Sequence, residues 1–517
     1  MNPSAPRSKA KSASVSTLLR LAGNAASLLT TDLLNKATTF VIYALTARYL
    51  GAHAFGQFSL GLLLVYVFQV LASVGLPNLL TREIAQKTSR GPRLCSGGLV
   101  AVVLTSLLSM LGMLGTAALM RYDQSTTWII AILSLGLLPY AASQVFESSF
   151  RGTQQMHFIA VSNLVANSVK VVGAVWMLHA GMGVEWIAGL LVLVRVLILL
   201  TDMFLYFGWS RQGLQSCNRR FVVGLMRRSS TFLGIDAAIA GWSAVDALIL
   251  SKFMGELEVG LYCAATQLLQ PASLVYMSIV GSIFPAMCRK NRQGQQTLYR
   301  LTRWMVAFLL MLGLPAVVLI IDLADVILIA AYEKPEFLLS VPVMRIASLA
   351  LIAQCFTTIL GHSLWAADRE SDTLRIVIIN LIANILISSI TISQWGLVGA
   401  AVGTLLVAVL NVLQHYAAFY RVSARHAIDG QIVWPVLAAL VMACVLWWLP
   451  ATLATGLIEL LPISLQQWVA LRVPSVERLV LAALGVLAYA CMVLGLIAVA
   501  HGGPRKLRDG FFAPLVN

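Results

Sequence analysis

Between residues 25 and 500 the chain is written as a succession of apolar runs, each long enough to cross a lipid bilayer, and this leaves very few folds open to it. Hydrocarbon offers the backbone no hydrogen bonds, so a crossing segment must be a helix or a strand in a closed barrel. The runs show no alternation at period two, so helices are predicted. Composition agrees: 59% of residues are apolar and only 11% charged, with a mean hydropathy of +0.85. A soluble chain carries about a quarter charged residues.

Polar breaks divide these runs into fourteen predicted spans, near residues 25–47, 58–80, 97–119, 126–148, 157–178, 186–207, 229–251, 259–286, 301–321, 342–364, 373–393, 396–419, 430–449 and 477–500. The expected fold class is an all-α polytopic membrane protein. The first twenty residues are Ser-rich and basic, and the run after them carries Asp32 and Lys36, so the first span is expected to stay in the mature protein. Seven scattered cysteines without a CxxC pair predict neither a disulfide framework nor a metal site.

A net charge of +15 would suggest nucleic acid in a soluble protein, but here the charges follow the connections. Placing the N-terminus inside puts 26 Lys and Arg on the cytoplasmic side and six outside: Arg48, Arg121, Lys252, Lys334, Arg472 and Arg478. That asymmetry predicts an inner-membrane protein with both termini cytoplasmic, and no nucleic-acid partner is expected.

The chain also repeats itself. ARYLGAHAFGQFSL, residues 47–60, returns 204 positions later as SKFMGELEVGLYCA, with Gly51 on Gly255, Gly56 on Gly260, Arg48 on Lys252, and Asp32 on Asp236 upstream. Asn163-Leu-Val-Ala-Asn167 returns as Asn380-Leu-Ile-Ala-Asn384, the offset having grown to 217; the acidic stretch Asp322 to Glu336, read as an outer loop, is a candidate insertion. Equivalent spans lie an even number of crossings apart, so the halves are parallel, related by an axis along the membrane normal. The expected organisation is an N-terminal tail (1–24), an N-lobe of spans 1–6 (25–207), a basic cytoplasmic linker (208–228), a C-lobe of spans 7–12 (229–425), extra spans 13 and 14 (426–500), and a C-terminal tail (501–517). The outer stretch Pro450 to Glu477 contains LIELL and QQWVALRV, a candidate interfacial helix.

Ionisable side chains within lipid are costly and mark pathways by default. Asp32 and Lys36 are four apart and can pair on one helical face, as a structural pair or a cavity-lining one. Asp236 has no basic neighbour in its own span and is a candidate titrating carboxylate. Lys170 follows Asn167 by one turn; Arg195 and Asp202, seven apart on one stripe, could bridge each other or Lys170. Arg345 is expected to snorkel outward. Arg48 and Lys252 oppose the positive-inside bias at equivalent points of the two halves. No Walker P-loop, HExxH or outer-loop catalytic set is present, so the chain reads as a non-enzyme with no cofactor.

Ala47-Arg-Tyr-Leu-Gly51, Phe55-Gly56, Leu76-Pro77 and Thr81-Arg-Glu-Ile-Ala85 resemble the opening helices of bacterial oligosaccharide flippases and polysaccharide transporters of the MOP superfamily. Val245-Asp-Ala-Leu-Ile-Leu250, Gly260-Leu-Tyr-Cys-Ala-Ala265 and Phe284-Pro285 resemble the start of that family's second half, and Gly396-Leu-Val-Gly-Ala-Ala-Val402 its later Gly-x-x-Gly-Ala-Ala segment. The resemblance covers roughly residues 20 to 425. It implies two lobes around a cavity that opens alternately to either side, and an undecaprenyl-pyrophosphate-linked oligosaccharide as substrate, for O-antigen, capsule or exopolysaccharide assembly. It implies cavity cations for the pyrophosphate: Lys36, with Lys170 and Arg195 as helpers, and Arg48 and Lys252 at the outer gate. Asp32, Asp236 and Asp202 are the candidate coupling or cavity carboxylates. Expected partners are membrane lipid, the lipid-linked glycan, and a polysaccharide polymerase and glycosyltransferases. A cation-coupled drug exporter of the same superfamily, or a membrane glycan polymerase or ligase, are the rival readings.

Overall fold

The computed structural model describes residues 34–209, 213–423, 432–448 and 476–500. Those residues form helices and short connections, and nine of the helices are long and apolar enough to cross a membrane. The chain is a multi-pass, all-α membrane protein. It divides into two compact units, residues 1–260 and 261–517.

In the first unit, α1 covers residues 34–50. There follow α2 (Ala52–Ser73), α3 (Leu76–Gln86), α4 (Gly91–Met120), α5 (Gln124–Ser134), α6 (Leu137–Gly152), α7 (Met156–His179), α8 (Val184–Phe204) and α9 (Arg219–Phe253). Local chemistry sets the boundaries. Asp123 caps α5 by accepting from the Thr126 N–H at 2.8 Å, and Asn218 caps α9 by accepting from the Phe221 N–H at 2.9 Å. Pro77 and Pro92 sit in first turns, where the missing N–H costs nothing. The span expected at 58–80 is two helices, broken at Val74 and Gly75, which both adopt positive φ. The span expected at 126–148 is likewise divided at Leu135 and Gly136, just before Pro139. The core is a continuous apolar cluster that includes Leu79, Ile129, Phe146, Phe150 and Ile187. α9, which holds the predicted seventh span, packs on α2, α3 and α4.

The glycines of the repeat behave alike. Gly51 (φ 89°) precedes α2 and Gly255 (φ 106°) precedes the next helix, a backbone region that side chains with a Cβ rarely enter. Gly56 and Gly260 lie where two backbones touch: a Cβ on Gly56 would collide with the Glu256 carbonyl, and one on Gly260 with the Ala52 carbonyl.

In the second unit, α10 (Glu256–Gln293, entering from the first unit) and α11 (Gln295–Tyr332) are followed by α12 (Val341–Ala366), α13 (Glu370–Ser423), α14 (Val433–Trp448) and α15 (Val476–Ala500). Pro271, Pro285 and Pro315 lie inside helices. α13 joins two predicted spans and is broken only at Gly396 (φ 53°, ψ −128°). The stretch from Asp322 is not an outer loop: α11 continues to Tyr332, because LADVILIAAY prolongs the apolar helix past two isolated acids. Asp325 accepts from Arg478 Nη1 at 2.6 Å, tying α15 to α11, and Arg345 donates from Nε to the Ile321 carbonyl at 3.0 Å. Asp32 and the expected interfacial helix within 450–475 lie outside the described residues.

Candidate functional site

A cavity of about 560 Å³ opens inside the first unit. Each wall is one helical stripe at the i, i+4, i+7 spacing of side chains that share a face: Asn35, Thr39 and Ile42 from α1; Phe58, Leu62, Val65 and Gln69 from α2; Tyr140, Gln144, Glu147 and Arg151 from α6. α7 adds Asn163 and Lys170, and α8 adds Arg195 and Ile198.

Amide hydrogen bonds between α1 and α7 fix one side. Asn35 Nδ2 donates to Asn163 Oδ1 at 3.0 Å, Thr38 Oγ1 donates to Asn167 Oδ1 at 2.7 Å, and Asn167 Nδ2 donates back to Asn35 Oδ1. The recurring Asn motif has the same use in the second unit, where buried Asn380 donates to Asn411 Oδ1 at 2.9 Å. These asparagines hold helices together where lipid offers no alternative partner.

Two of the cations that line the cavity have neutral hydrogen-bond partners only among the described residues. Lys170, 8% exposed, donates from Nζ to Thr39 Oγ1 at 3.4 Å. Arg195 donates from Nη2 to Gln69 Oε1 at 3.1 Å and stacks over Tyr140, its Cζ 4.6 Å from the ring centroid. Its Nη1 is buried and has no hydrogen-bond acceptor among the described residues. Lys170 and Arg195, like charges, face the same cavity. The cavity's carboxylate, Glu147, is taken by another cation: Arg151 Nη2 donates to its Oε2 at 2.6 Å, and Gln144 Nε2 to the same oxygen at 3.2 Å. The arrangement suits a ligand with several anionic oxygens and sheltered polar groups beside them.

The structure separates the other predicted site residues. Lys36 is exposed and stands off the stripe that α1 turns to the cavity. Arg48 is exposed at the far end of α1. Lys252 is exposed and donates to the Met120 carbonyl at 3.1 Å. Asp236 is half-buried on α9, within electrostatic range of Tyr66 on the cavity wall. Asp202 is completely buried on α8 and is not part of the cavity lining. The ion pair between Arg195 and Asp202 is not formed, because seven residues of helix put about 10 Å between their Cα atoms and each side chain turns to a different neighbour. Gln69, Tyr140, Gln144 and Glu147 escaped the sequence reading. Their signal was there: Tyr140, Gln144, Glu147 and Arg151 recur at the spacing of one helical face.

These helices, with a charged cavity among those of the first unit, make up a multi-pass α-helical membrane protein. The fold is the one found in the lipid II flippase MurJ, solved in an inward closed conformation (TM-score 0.71, 13% identity, covering 96% of this chain and 99% of that one). It is shared with an inward-facing multidrug resistance MATE family transporter of the MOP superfamily (TM-score 0.60, 14% identity, 76% of this chain and 96% of that one). The chain belongs to the polysaccharide biosynthesis protein family, which it matches over residues 21–291. Among curated proteins it is 22% identical, over 78% of its length and 84% of the other, to the probable low-salt glycan biosynthesis flippase Agl15 of Haloferax volcanii. It is also 27% identical to the probable lipid II flippase MurJ of Vibrio cholerae, over 36% of this chain and 37% of that protein.

Proposed function

We propose that the protein is a flippase for a lipid-pyrophosphate-linked oligosaccharide, carrying it across the bacterial inner membrane by alternating access for O-antigen, capsule or exopolysaccharide assembly. The carrier lipid is undecaprenyl, both termini are cytoplasmic, and the protein works beside glycosyltransferases and a polymerase. The observation that carries this reading is the Lys170 and Arg195 pair, two cations in one cavity whose hydrogen-bond partners among the described residues are neutral, with an unused donor on Arg195. A pyrophosphate supplies the oxygens that this pair is short of, and the amides and tyrosines around it suit sugar hydroxyls. Arg48 and Lys252 attract the headgroup at the outer ends of their helices, and Lys36 does so beside Asn35.

The test is flipping of a labelled undecaprenyl-pyrophosphate oligosaccharide by the full-length protein in liposomes. Charge-assisted hydrogen bonds contribute about 1.5–3 kcal/mol each, so Lys170→Ala or Arg195→Ala should slow flipping by roughly 10- to 100-fold. Wild-type rates in both variants would remove the reading. Export of cationic drugs with no glycan-lipid flipping would favour the multidrug alternative.

A further inference from the structure

The break between α5 and α6 is one tight turn. The Leu135 N–H donates to the Ile132 carbonyl at 3.1 Å and the Gly136 N–H to the Leu133 carbonyl at 3.0 Å; the Gly136 carbonyl then opens α6 by accepting from the Tyr140 N–H at 3.2 Å. Gly136 has φ −74° and ψ −10°, values open to any residue, so the turn itself does not require glycine. A neighbour does. A Cβ on Gly136 would lie 3.0 Å from Cδ and 3.7 Å from Nε of Arg195, which reaches across from α8. Carbon atoms pack at about 3.5–4.0 Å, so at this spacing the neighbour must give by a few tenths of an ångström. The Leu133 carbonyl stands 3.2 Å from the same point. It belongs to the backbone of the turn, which leaves the arginine stem as the group that yields.

Two further contacts fix the head of the same side chain. Arg195 Nη2 donates to Gln69 Oε1 at 3.1 Å, and Cζ lies 4.6 Å from the centroid of the Tyr140 ring. One turn of α6 therefore supplies both the gap for the arginine stem and the ring beside its guanidinium, while α2 holds one nitrogen. The guanidinium is a rigid planar fork. Fixing its stem, its face and one nitrogen fixes where Nη1 sits, and Nη1 is the buried donor with no acceptor among the described residues.

We propose that Gly136 is a positioning residue for the cavity's anion site: the helix break leaves the Arg195 stem room to lie against Tyr140 and Gln69, and so sets where Nη1 meets a phosphate oxygen. The inference rests on the reading of Arg195 as a phosphate ligand. Gly136 has no side chain to offer the anion and acts through Arg195 alone.

The test reads the arginine first and the anion second, on the full-length protein in lipid nanodiscs. With isotope-labelled arginine, the NMR signal of the Arg195 Nε–H is assigned by its loss in Arg195→Lys, and the Tyr140 ring current sets it apart from exposed arginines. Gly136→Ala should shift that signal. Gly115→Ala, whose Cβ meets open space, should leave it in place. Titrated with inorganic pyrophosphate, Gly136→Ala should bind roughly 3- to 10-fold more weakly than wild type, a part of what one charge-assisted hydrogen bond contributes. On an Arg195→Ala background the same substitution should cost no further affinity. A signal unmoved by Gly136→Ala while pyrophosphate still binds, or an equal loss of affinity on the Arg195→Ala background, would overturn the placement alone. Failure of the wild type to bind pyrophosphate would overturn the anion site itself, and with it the reading under which the inference stands.

Discussion

Arg195 shows why side-chain identity matters more than charge at this site. Its guanidinium lies on the Tyr140 ring while one nitrogen reaches Gln69, a planar geometry that an ammonium group cannot copy. Arg195→Lys should therefore behave more like Arg195→Ala than like wild type, with flipping reduced by roughly tenfold; recovery of most of the wild-type rate would assign Arg195 a purely electrostatic part. Asn167 works differently, as a brace. It is 4% exposed and bonded to both Thr38 and Asn35, so Asn167→Ala leaves buried groups unsatisfied and should cost about 1–3 kcal/mol, read as a lower unfolding temperature in detergent. The charged residues themselves were legible in the sequence, since a Lys or Arg within an apolar run stands out. What each one pairs with was not. Arg195 and Asp202 share a stripe, but their partners come from α2 and α6, and only packing could bring those helices alongside.

At the scale of the element, the glycines divide into those the fold needs and those it tolerates. Gly56 has the Glu256 carbonyl where its Cβ would be, whereas nothing lies within 4 Å of a Cβ on Gly115. Gly56→Ala forces two backbones apart and should cost about 1–3 kcal/mol; Gly115→Ala should be neutral or stabilise by about 0.4–1 kcal/mol. Thermal unfolding of the two purified variants, side by side, checks the contrast. The sequence revealed the pairing of Gly51 with Gly255 through a common offset, and both take positive φ. It concealed where helices break. The 58–80 and 126–148 runs look continuous because an apolar residue reads alike in a helix and in a kink, and Val74 enters positive φ without any glycine-like signal of its own. The acids Asp322 and Asp325 misled in the opposite direction, being charges inside a helix that the run on either side keeps intact.

For the whole molecule, the basic connections make a topological claim that can be measured. With the seven native cysteines replaced, a single cysteine at exposed Ser89 should react with a membrane-impermeant maleimide only from the cytoplasmic side. One at exposed His53 should react only from the outside; labelling of both from one side would invert or abolish the proposed orientation. The class of fold was readable from the apolar runs alone, because hydrocarbon allows so few backbone solutions. The grouping of the predicted seventh span with the first unit was not, since which neighbours a helix chooses depends on side-chain packing that hydropathy does not encode.

Lys170 and Arg195 face one cavity, and each is hydrogen-bonded to a neutral side chain there. Bringing two like charges to one cavity costs free energy that a bound anion offsets. In the proposed function, the cargo's headgroup is thus also a structural component of the site that holds it. Inorganic pyrophosphate at a hundred times its dissociation constant should stabilise the protein by about 2.7 kcal/mol, and the gain should shrink as either cation is replaced by glutamine.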